Sequence, residues 1–148
     1  MLQTALIISL PSQHSHHAQI LADLKKAFNI KELSLNPMNG APCNQKILID
    51  SALNNVSLVV ITLSNKTKND DCICYAIQSA TAKGIKVLGI WDSGAHVEDI
   101  TPCMVKSGDF VTNYPSDLID IIRQKPSIWI DPNGETIEKR SIKKHICG

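Results

Sequence analysis

Polar side chains gather at the end of a strongly apolar segment near the middle of the chain. Residues 58 to 63, LVVITL, are apolar apart from Thr62, which is typical of a strand buried on both faces of a parallel sheet. A wholly polar segment then runs from Ser64 to Asp71 and leads into a helix. Ser64 suits a strand-end cap and a ligand-binding hydroxyl equally well. We expect Asp70 and Asp71 to cap the helix, the commoner use of aspartate at a helix start.

Three histidines, His14, His16 and His17, follow the first apolar segment of the chain. Imidazole is a common metal ligand, but no acidic or cysteine ligand accompanies these residues in the sequence. We therefore expect a polar rim at this place and no metal. A histidine that reaches a phosphate or an adenine is an intermediate possibility.

Five cysteines stand at positions 43, 72, 74, 103 and 147. Because their number is odd and their spacings do not pair, we expect most of them to be reduced thiols with structural roles. Cys72 and Cys74 are two residues apart on the predicted helix. Their side chains therefore diverge by about 200° and are unsuited to share one metal ion.

Strands and helices alternate along the chain, which predicts an α/β fold. Strands are expected at residues 5–10, 30–35, 58–63, 85–91 and 110–112, and helices lie between them. Ser12 or Ser15 can cap the first helix, whose apolar side consists of Ala18, Leu21, Leu24, Ala27 and Phe28. The chain has 148 residues, of which 43% are hydrophobic, and this suits one domain with one core. We predict a single-domain, doubly wound, mostly parallel five-stranded sheet of flavodoxin-like type. A C-terminal hairpin is expected at residues 128–130 and 136–137.

The chain is predicted to consist of one domain and a C-terminal extension. Residues 1–125 form the α/β domain, and residues 126–148 form an extension that packs on it through Trp129 and ends in a basic tail, Lys139 to His145. The formal charge of +1 gives no reason to expect nucleic acid or a membrane as partner. No signal peptide is expected at the N-terminus, so the prediction is a cytoplasmic protein.

Ligands of open parallel sheets bind outside the carboxyl ends of the strands. The loops at residues 9–17, 36–44, 64–72 and 91–94 therefore become the candidates for a binding site. None of them carries a Gly-x-Gly-x-x-Gly or Walker phosphate motif, which disfavours an ordinary dinucleotide-binding fold or a nucleotide triphosphatase. A receiver domain is disfavoured as well, because its acidic residues are missing at the ends of the first and third strands.

The order of these parts resembles a TIR domain, in particular the bacterial TIR-like branch found in Thoeris-type antiphage defence. The likeness spans residues 5 to 123. It rests on three segments: the apolar first strand that ends at Ser9, the long loop at residues 36–44, and the strand at residues 52–64. It also includes the helix sequence Cys72-Ile73-Cys74-Tyr75-Ala76-Ile77-Gln78-Ser79-Ala80, which is similar to the Glu-Ile-x-x-Ala helix of the family.

The resemblance implies an enzyme that takes NAD as its substrate and cleaves the nicotinamide–ribose bond. Hydrolysis, cyclisation or transfer would then yield an ADP-ribose-derived signal for a separate effector protein. A phage-derived trigger and a homo-oligomer are further implied partners. Position 76 is that of the catalytic glutamate, and the implied substrate-binding residues are Ser9, Leu10, His14, Cys43, Asn44, Ser64, Asp71 and Cys72.

Ala76 is the main departure from the family pattern, because a methyl group cannot stabilise the positive charge that develops on the ribose. A deliberate Glu→Ala inactivation, a non-catalytic relative and an alignment shifted by one turn are all consistent with it. We favour the first. Two other functions stay open: a nucleoside deoxyribosyltransferase-like N-glycosidase, and a non-catalytic TIR scaffold or sensor.

Overall fold

A computed structural model describes residues 2–11, 14–123 and 129–137 of the chain. The predicted basic tail, a Ser12 helix cap and Cys147 lie outside the described residues. The strands are β1 (Gln3–Ser9), β2 (Phe28–Ser34), β3 (Leu58–Leu63), β4 (Lys86–Trp91), β5 (Phe110–Thr112), β6 (Trp129–Ile130) and β7 (Thr136–Ile137). The helices are α1 (His17–Leu24), α2 (Lys46–Ala52), α3 (Asp71–Ala82), α4 (Pro102–Ser107) and α5 (Leu118–Arg123), with a short 3-10 helix at Val97–Asp99.

The strands of the described residues form one sheet in the order β2-β1-β3-β4-β5-β6-β7, in which β6 and β7 are antiparallel and the other described pairs are parallel. The predicted doubly wound parallel fold is confirmed. The five-strand count was too small, because Trp129 pairs in parallel with Val111 and so adds the predicted hairpin to the sheet itself. Strand order reverses between β1 and β3, whose residues Leu6 and Val59 are register partners. In this fold a ligand cleft is expected at that reversal.

Alternate residues of the central strands supply two separate apolar layers. Leu6 and Ile8 of β1 face α2, α3 and α4, whereas Ala5 and Ile7 face α1 and α5. This alternation follows from the two-residue period of a strand and explains why the central strands are apolar on both faces. The sheet is therefore covered by helices on both sides, which leaves its carboxyl edge for function.

Two element boundaries differ from the sequence prediction. β2 begins at Phe28, which the helical pattern had assigned to the preceding helix, because backbone pairing with Gln3 of β1 starts there. α1 begins at His17, and its N-cap residue His16 makes no side-chain capping bond. The hydroxyl of Ser15 bonds Asp92 instead of capping α1, so a tertiary contact replaced the local one.

The predicted thiol state of the cysteines is wrong for four of the five. Cys43 is bonded to Cys72, with 4.8 Å between their Cα atoms, and Cys74 is bonded to Cys103 at a Cα separation of 5.4 Å. The predicted divergence of the two α3 cysteines is the physical reason, because it directs them to different neighbours. Cys72 reaches the loop before α2, and Cys74 reaches α4. Both pairs have the same sequence separation of 29, a regularity that the sequence reading overlooked.

Candidate functional site

A cavity of about 550 Å³ lies at the carboxyl edge of the sheet, beside the strand reversal. Its walls come from three of the loops that the sequence analysis selected, those that follow β1, β2 and β3. One part is apolar and the rest is polar; the lining residues are Leu10, Pro11, Pro37, Asn39, Gly40, Asn65, Lys66, Asn69 and Asp70. A cavity of this size, with a few converging polar groups, is typical of small-molecule sites.

Asp70 stands at the junction of these loops and is 5% exposed. One carboxylate oxygen accepts the backbone N–H of Ile73 at 3.1 Å, and so Asp70 is the N-cap of α3 as expected. Its other oxygen accepts the backbone N–H of Met38, also at 3.1 Å. Among the described residues that line the cavity, Asp70 is the one carboxylate. The start of α3 also carries the positive end of the helix dipole, which favours an anion there.

The loop between β2 and α2, residues 35–45 and called here the second loop, forms one wall of the cavity. Asn39 and Gly40 have positive φ angles of 51° and 86°, so the chain turns sharply at the cavity rim. The side-chain oxygen of Gln45 accepts the backbone N–H of Asn36 at 2.9 Å, and its amide nitrogen donates to the Asn36 carbonyl at 3.0 Å. These two bonds close the base of the loop.

Asp71 and Cys72 hold the far end of the second loop on α3. The Asp71 carboxylate accepts the backbone N–H of Cys43 at 2.7 Å, and Cys72 is joined to Cys43 by the disulfide. Both residues are predicted substrate-binding residues, as are Cys43 and Asn44. Cys43 and Asn44 line a shallow groove on the outer side of the loop, next to α2, instead of the cavity. The contacts described here give Asp71, Cys43 and Cys72 a positioning role.

Ser64 shapes the turn that follows β3. Its hydroxyl oxygen accepts the backbone N–H of Lys66 at 3.2 Å, and its own N–H donates to the Thr67 hydroxyl at 3.1 Å. Thr67 is 4% exposed and also donates to the Thr62 carbonyl. The sequence left two roles open for Ser64, a strand-end cap and a ligand-binding hydroxyl. The observed hydrogen bonds are those of a cap. They present Asn65 and Lys66 to the cavity.

His14 joins the loop after β1 to the end of β4 and does not line the cavity. Its Nε2 donates to the Trp91 carbonyl at 2.8 Å, and its Nδ1 accepts the backbone N–H of His16 at 2.9 Å. Because a carbonyl only accepts and an N–H only donates, these bonds require the neutral imidazole with its proton on Nε2. Burial lowers the pKa of His14, and this outweighs the Trp91 carbonyl and the Asp92 carboxylate, which raise it.

Asp92 is the charged group closest to His14, with 3.9 Å between its Oδ1 and the Nδ1 of His14. Burial alone would raise the pKa of Asp92. Hydrogen bonds from the side chain and backbone of Ser15 and from the backbone of Ser93 lower that pKa below its ordinary value. Hydrogen bonds of His14, Ser15 and Asp92 thus join the loop after β1 to the loop after β4.

Ala76 lies on the buried face of α3 and is completely inaccessible to solvent. It belongs to the apolar layer that also contains Cys72, Ile73 and Ile77, and it does not line the cavity. A glutamate at this position would start from the core side of the helix. The catalytic role of position 76 stays a prediction.

The predicted site residues divide into two groups in the structure. Leu10 lines the cavity, and Ser9 directly precedes it, where its carbonyl accepts the backbone N–H of Leu35 at 2.8 Å. Asn44 is exposed in the outer groove, and the other predicted residues support loops or fill the core. Three of the loops selected from the sequence line this cavity, but Leu10 is the one predicted substrate-binding residue in its lining. Asp70 was predicted only as a helix cap, and the remaining lining residues were not predicted; they are Pro11, Pro37, Asn39, Gly40, Asn65, Lys66 and Asn69. A polar run directly after a buried strand was the available signal for the last three.

Comparisons with known proteins agree with this architecture. The family model described as the TIR-like domain of the Thoeris protein ThsB matches residues 12–96, which is more than half of the chain. No curated protein matches the chain. Within the described residues, no helix is both long and apolar enough to cross a membrane. The match covers the loops after β2 and β3, part of the loop after β1 and all of α3, and we conclude that this chain belongs to the ThsB TIR-like family of Thoeris proteins.

Proposed function

We propose that this protein binds NAD in the cavity beside Asp70 and cleaves its nicotinamide–ribose bond. Membership in the Thoeris TIR-like family implies a role in antiphage defence. The observation that carries the proposal is the position of the cavity, at the carboxyl ends of β1 and β3 where the strand order reverses. Nucleotides bind at this point in doubly wound sheets.

The lining residues supply the contacts that a dinucleotide needs. Leu10, Pro11 and Pro37 offer an apolar surface to an aromatic ring. Lys66 offers a cation to the phosphates, and asparagine side chains offer amide donors and acceptors to the ribose hydroxyls. This combination of one apolar wall and several polar groups is suited to a ligand with both a ring and a charged backbone.

We assign to Asp70 the stabilisation of the positive charge that develops on the ribose during cleavage. When the nicotinamide–ribose bond breaks, the ribose acquires positive charge, and a carboxylate in a cleft with little water stabilises it. Each carboxylate oxygen of Asp70 accepts one backbone N–H, from Ile73 or Met38, which leaves one lone pair of each for a ligand. Asp70 thus caps α3 and also places a negative charge at the cavity wall.

The product that we propose is an ADP-ribose-derived signal molecule, formed by hydrolysis, cyclisation or transfer. It would act on a separate effector protein after a phage-derived trigger, in the cytoplasm. A homo-oligomer is part of the same proposal, with a neighbouring copy completing the site.

The test is nicotinamide release from NAD by the whole protein, measured by chromatography with and without an extract of phage-infected cells. Binding of NAD is measured in parallel by calorimetry. We compare the protein with Asp70→Asn, which keeps a good N-cap residue but removes the charge. Glu98→Gln is the matched control, because Glu98 is exposed on the 3-10 helix outside the cavity lining.

Release by the protein and by Glu98→Gln, with loss of release but not of binding in Asp70→Asn, is the expected result. If NAD fails to bind at any concentration tested, the proposal is wrong.

A second candidate function is NAD binding without cleavage, in a sensor or scaffold. The specific observation in its favour is the methyl group at position 76, enclosed in the core, where the family carries a glutamate. The same experiment separates the two functions. NAD binding with no nicotinamide release, in an extract whose trigger activates a related defence system, would establish the non-catalytic function.

A further inference from the structure

The second loop is attached to α3 by a covalent bond as well as by hydrogen bonds. Its inner residues Pro37, Asn39 and Gly40 line the cavity, and its far end carries Cys43. Cys43 is 8% exposed and Cys72, its partner on α3, is completely buried. The disulfide therefore joins a wall of the cavity to the helix on which Asp70 and Asp71 stand.

The hydrogen bonds between the loop and α3 are concentrated at the same end of that helix. Met38 donates its backbone N–H to Asp70, and Cys43 donates its backbone N–H to Asp71. Gln45 closes the base of the loop on Asn36 and also donates to the Cys72 sulfur at 3.3 Å. The Asn39–Gly40 turn between these anchors has left-handed backbone angles. Seven of the eleven loop residues are exposed, whereas Leu35 and Cys43 are buried and Met38 packs against the core. Segments with few buried contacts open locally at low cost.

We propose that the Cys43–Cys72 disulfide is a redox lock on the cavity, which holds the second loop closed when oxidised and releases it when reduced. A dithiol reductant drives the step. Its two sulfurs form a new S–S bond, the Cys43–Cys72 bond breaks, and two electrons and two protons pass to the two cysteine sulfurs. After reduction, hydrogen bonds to Asp70, Asp71 and Cys72 and the packing of Leu35 and Met38 against the core still hold the loop, but the covalent bond to α3 is gone. The state of the lock then follows the redox conditions of the compartment.

The second disulfide supplies an internal control. Cys74–Cys103 leaves the opposite side of α3 and joins it to α4, away from the second loop. Its removal is expected to loosen α4 and to leave the second loop protected. Cys103→Ser and Cys43→Ser therefore differ in which neighbour of α3 they release.

The experiment is hydrogen–deuterium exchange of the whole protein, purified without reductant and then compared with and without dithiothreitol. The reporters are the backbone amides of Met38 and Cys43. We expect reduction to accelerate their exchange by about tenfold or more, whereas amides of the core strands change little. Cys43→Ser should exchange quickly in both conditions. Cys103→Ser should stay slow until dithiothreitol is added.

Equal exchange of the loop amides in the oxidised and reduced protein would overturn the proposal. So would free Cys43 and Cys72 thiols in the protein purified without reductant, shown by alkylation and peptide mass. Because Cys103→Ser lacks the Cys74–Cys103 bond, its comparison with and without reductant assigns any change to Cys43–Cys72 and decides even if Cys43→Ser does not fold.

The consequence for the ligand rests on the proposed function. If the cavity binds NAD, the oxidised protein should bind and release NAD more slowly than the reduced protein, because the second loop must move aside. Stopped-flow binding measures both rates. Absence of NAD binding in both states contradicts the proposed function, while the exchange experiment still decides the redox lock.

Discussion

The Asp70 carboxylate accepts the backbone N–H of Met38 across 32 residues of sequence, at 3.1 Å. The other oxygen of Asp70 caps α3 through Ile73. A helix cap and a wall of the cavity therefore share one buried side chain. The geometry of the second loop depends on the start of α3, which is why removal of the Asp70 side chain is expected to affect both the stability of α3 and the position of the loop.

Removal of the Asp70 side chain should destabilise the protein. We expect Asp70→Ala to lower the free energy of unfolding by about 1 to 3 kcal/mol, because it removes the cap and leaves the partly buried N–H of Met38 without its partner. Asp70→Asn should cost less, since asparagine is also a good N-cap. Urea unfolding at neutral pH measures both. An Asp70→Ala protein as stable as the unmutated one would contradict the double role of this carboxylate.

A carboxylate at position 76 should be poorly tolerated. Ala76 is completely buried among apolar side chains, so Ala76→Glu forces either an unpaired charge or a protonated acid into the core. We expect a loss of at least about 3 kcal/mol, or failure to fold. Thermal and urea unfolding measure the change.

The matched control for that substitution is Gln78→Glu, which adds the same side chain at an exposed position of α3. Its effect should stay within about 0.5 kcal/mol. If Ala76→Glu folds with unchanged stability, the helix must present position 76 to the cavity and not to the core. Nicotinamide release by that variant would then favour a catalytic glutamate at this position.

The loop contact of His14 should contribute measurably to stability. We expect His14→Ala to cost about 1 to 3 kcal/mol, because the bonds to the Trp91 carbonyl and the His16 amide are lost in a buried place. His17→Ala is the control. His17 bonds Glu32, whose side chain is 53% exposed, and exposed pairs of this kind contribute about 1 kcal/mol or less. Equal losses in the two variants would contradict the structural role of His14.

The lowered pKa of His14 predicts a dependence of stability on pH. The unfolded chain takes up a proton near the ordinary histidine value of about 6.5, whereas the folded protein keeps His14 neutral to lower pH. The contribution of neutral His14 to the free energy of unfolding is therefore complete above about pH 6.5 and decreases as the pH falls below that value. Asp92, the carboxylate that faces His14, has a lowered pKa as well, so its contribution is lost only near and below its ordinary value of 3.8.

Urea unfolding at several pH values between 5 and 8 tests this dependence. The unmutated protein should lose stability from pH 7 to pH 5, and His14→Gln should lose less over the same interval. The comparison isolates His14 from the other histidines, which both proteins retain. An identical slope in the two proteins would show that His14 does not carry the effect.

Much of the fold was readable from the sequence because its signals are local. The apolar run from Leu58 to Leu63 predicts a strand buried on both faces, and the polar residues from Ser64 to Asp71 predict a loop at the carboxyl edge. The Asp70 cap was readable for the same reason, since it depends on residues only three apart. The hairpin at residues 129–137 was readable as well, but its pairing with β5 was not, because Val111 and Trp129 meet only through tertiary packing.

The sequence by itself determined the alternation of strands and helices, the edge of the sheet at which the cavity lies, and the likeness to the TIR family. Only the tertiary structure decided which side chains line the cavity, that Cys43 and Cys74 pair with Cys72 and Cys103, and that Ala76 faces the core. Periodicity specifies which face of an element is apolar. The neighbour that meets a given side chain depends on how distant elements pack, and no local pattern encodes that.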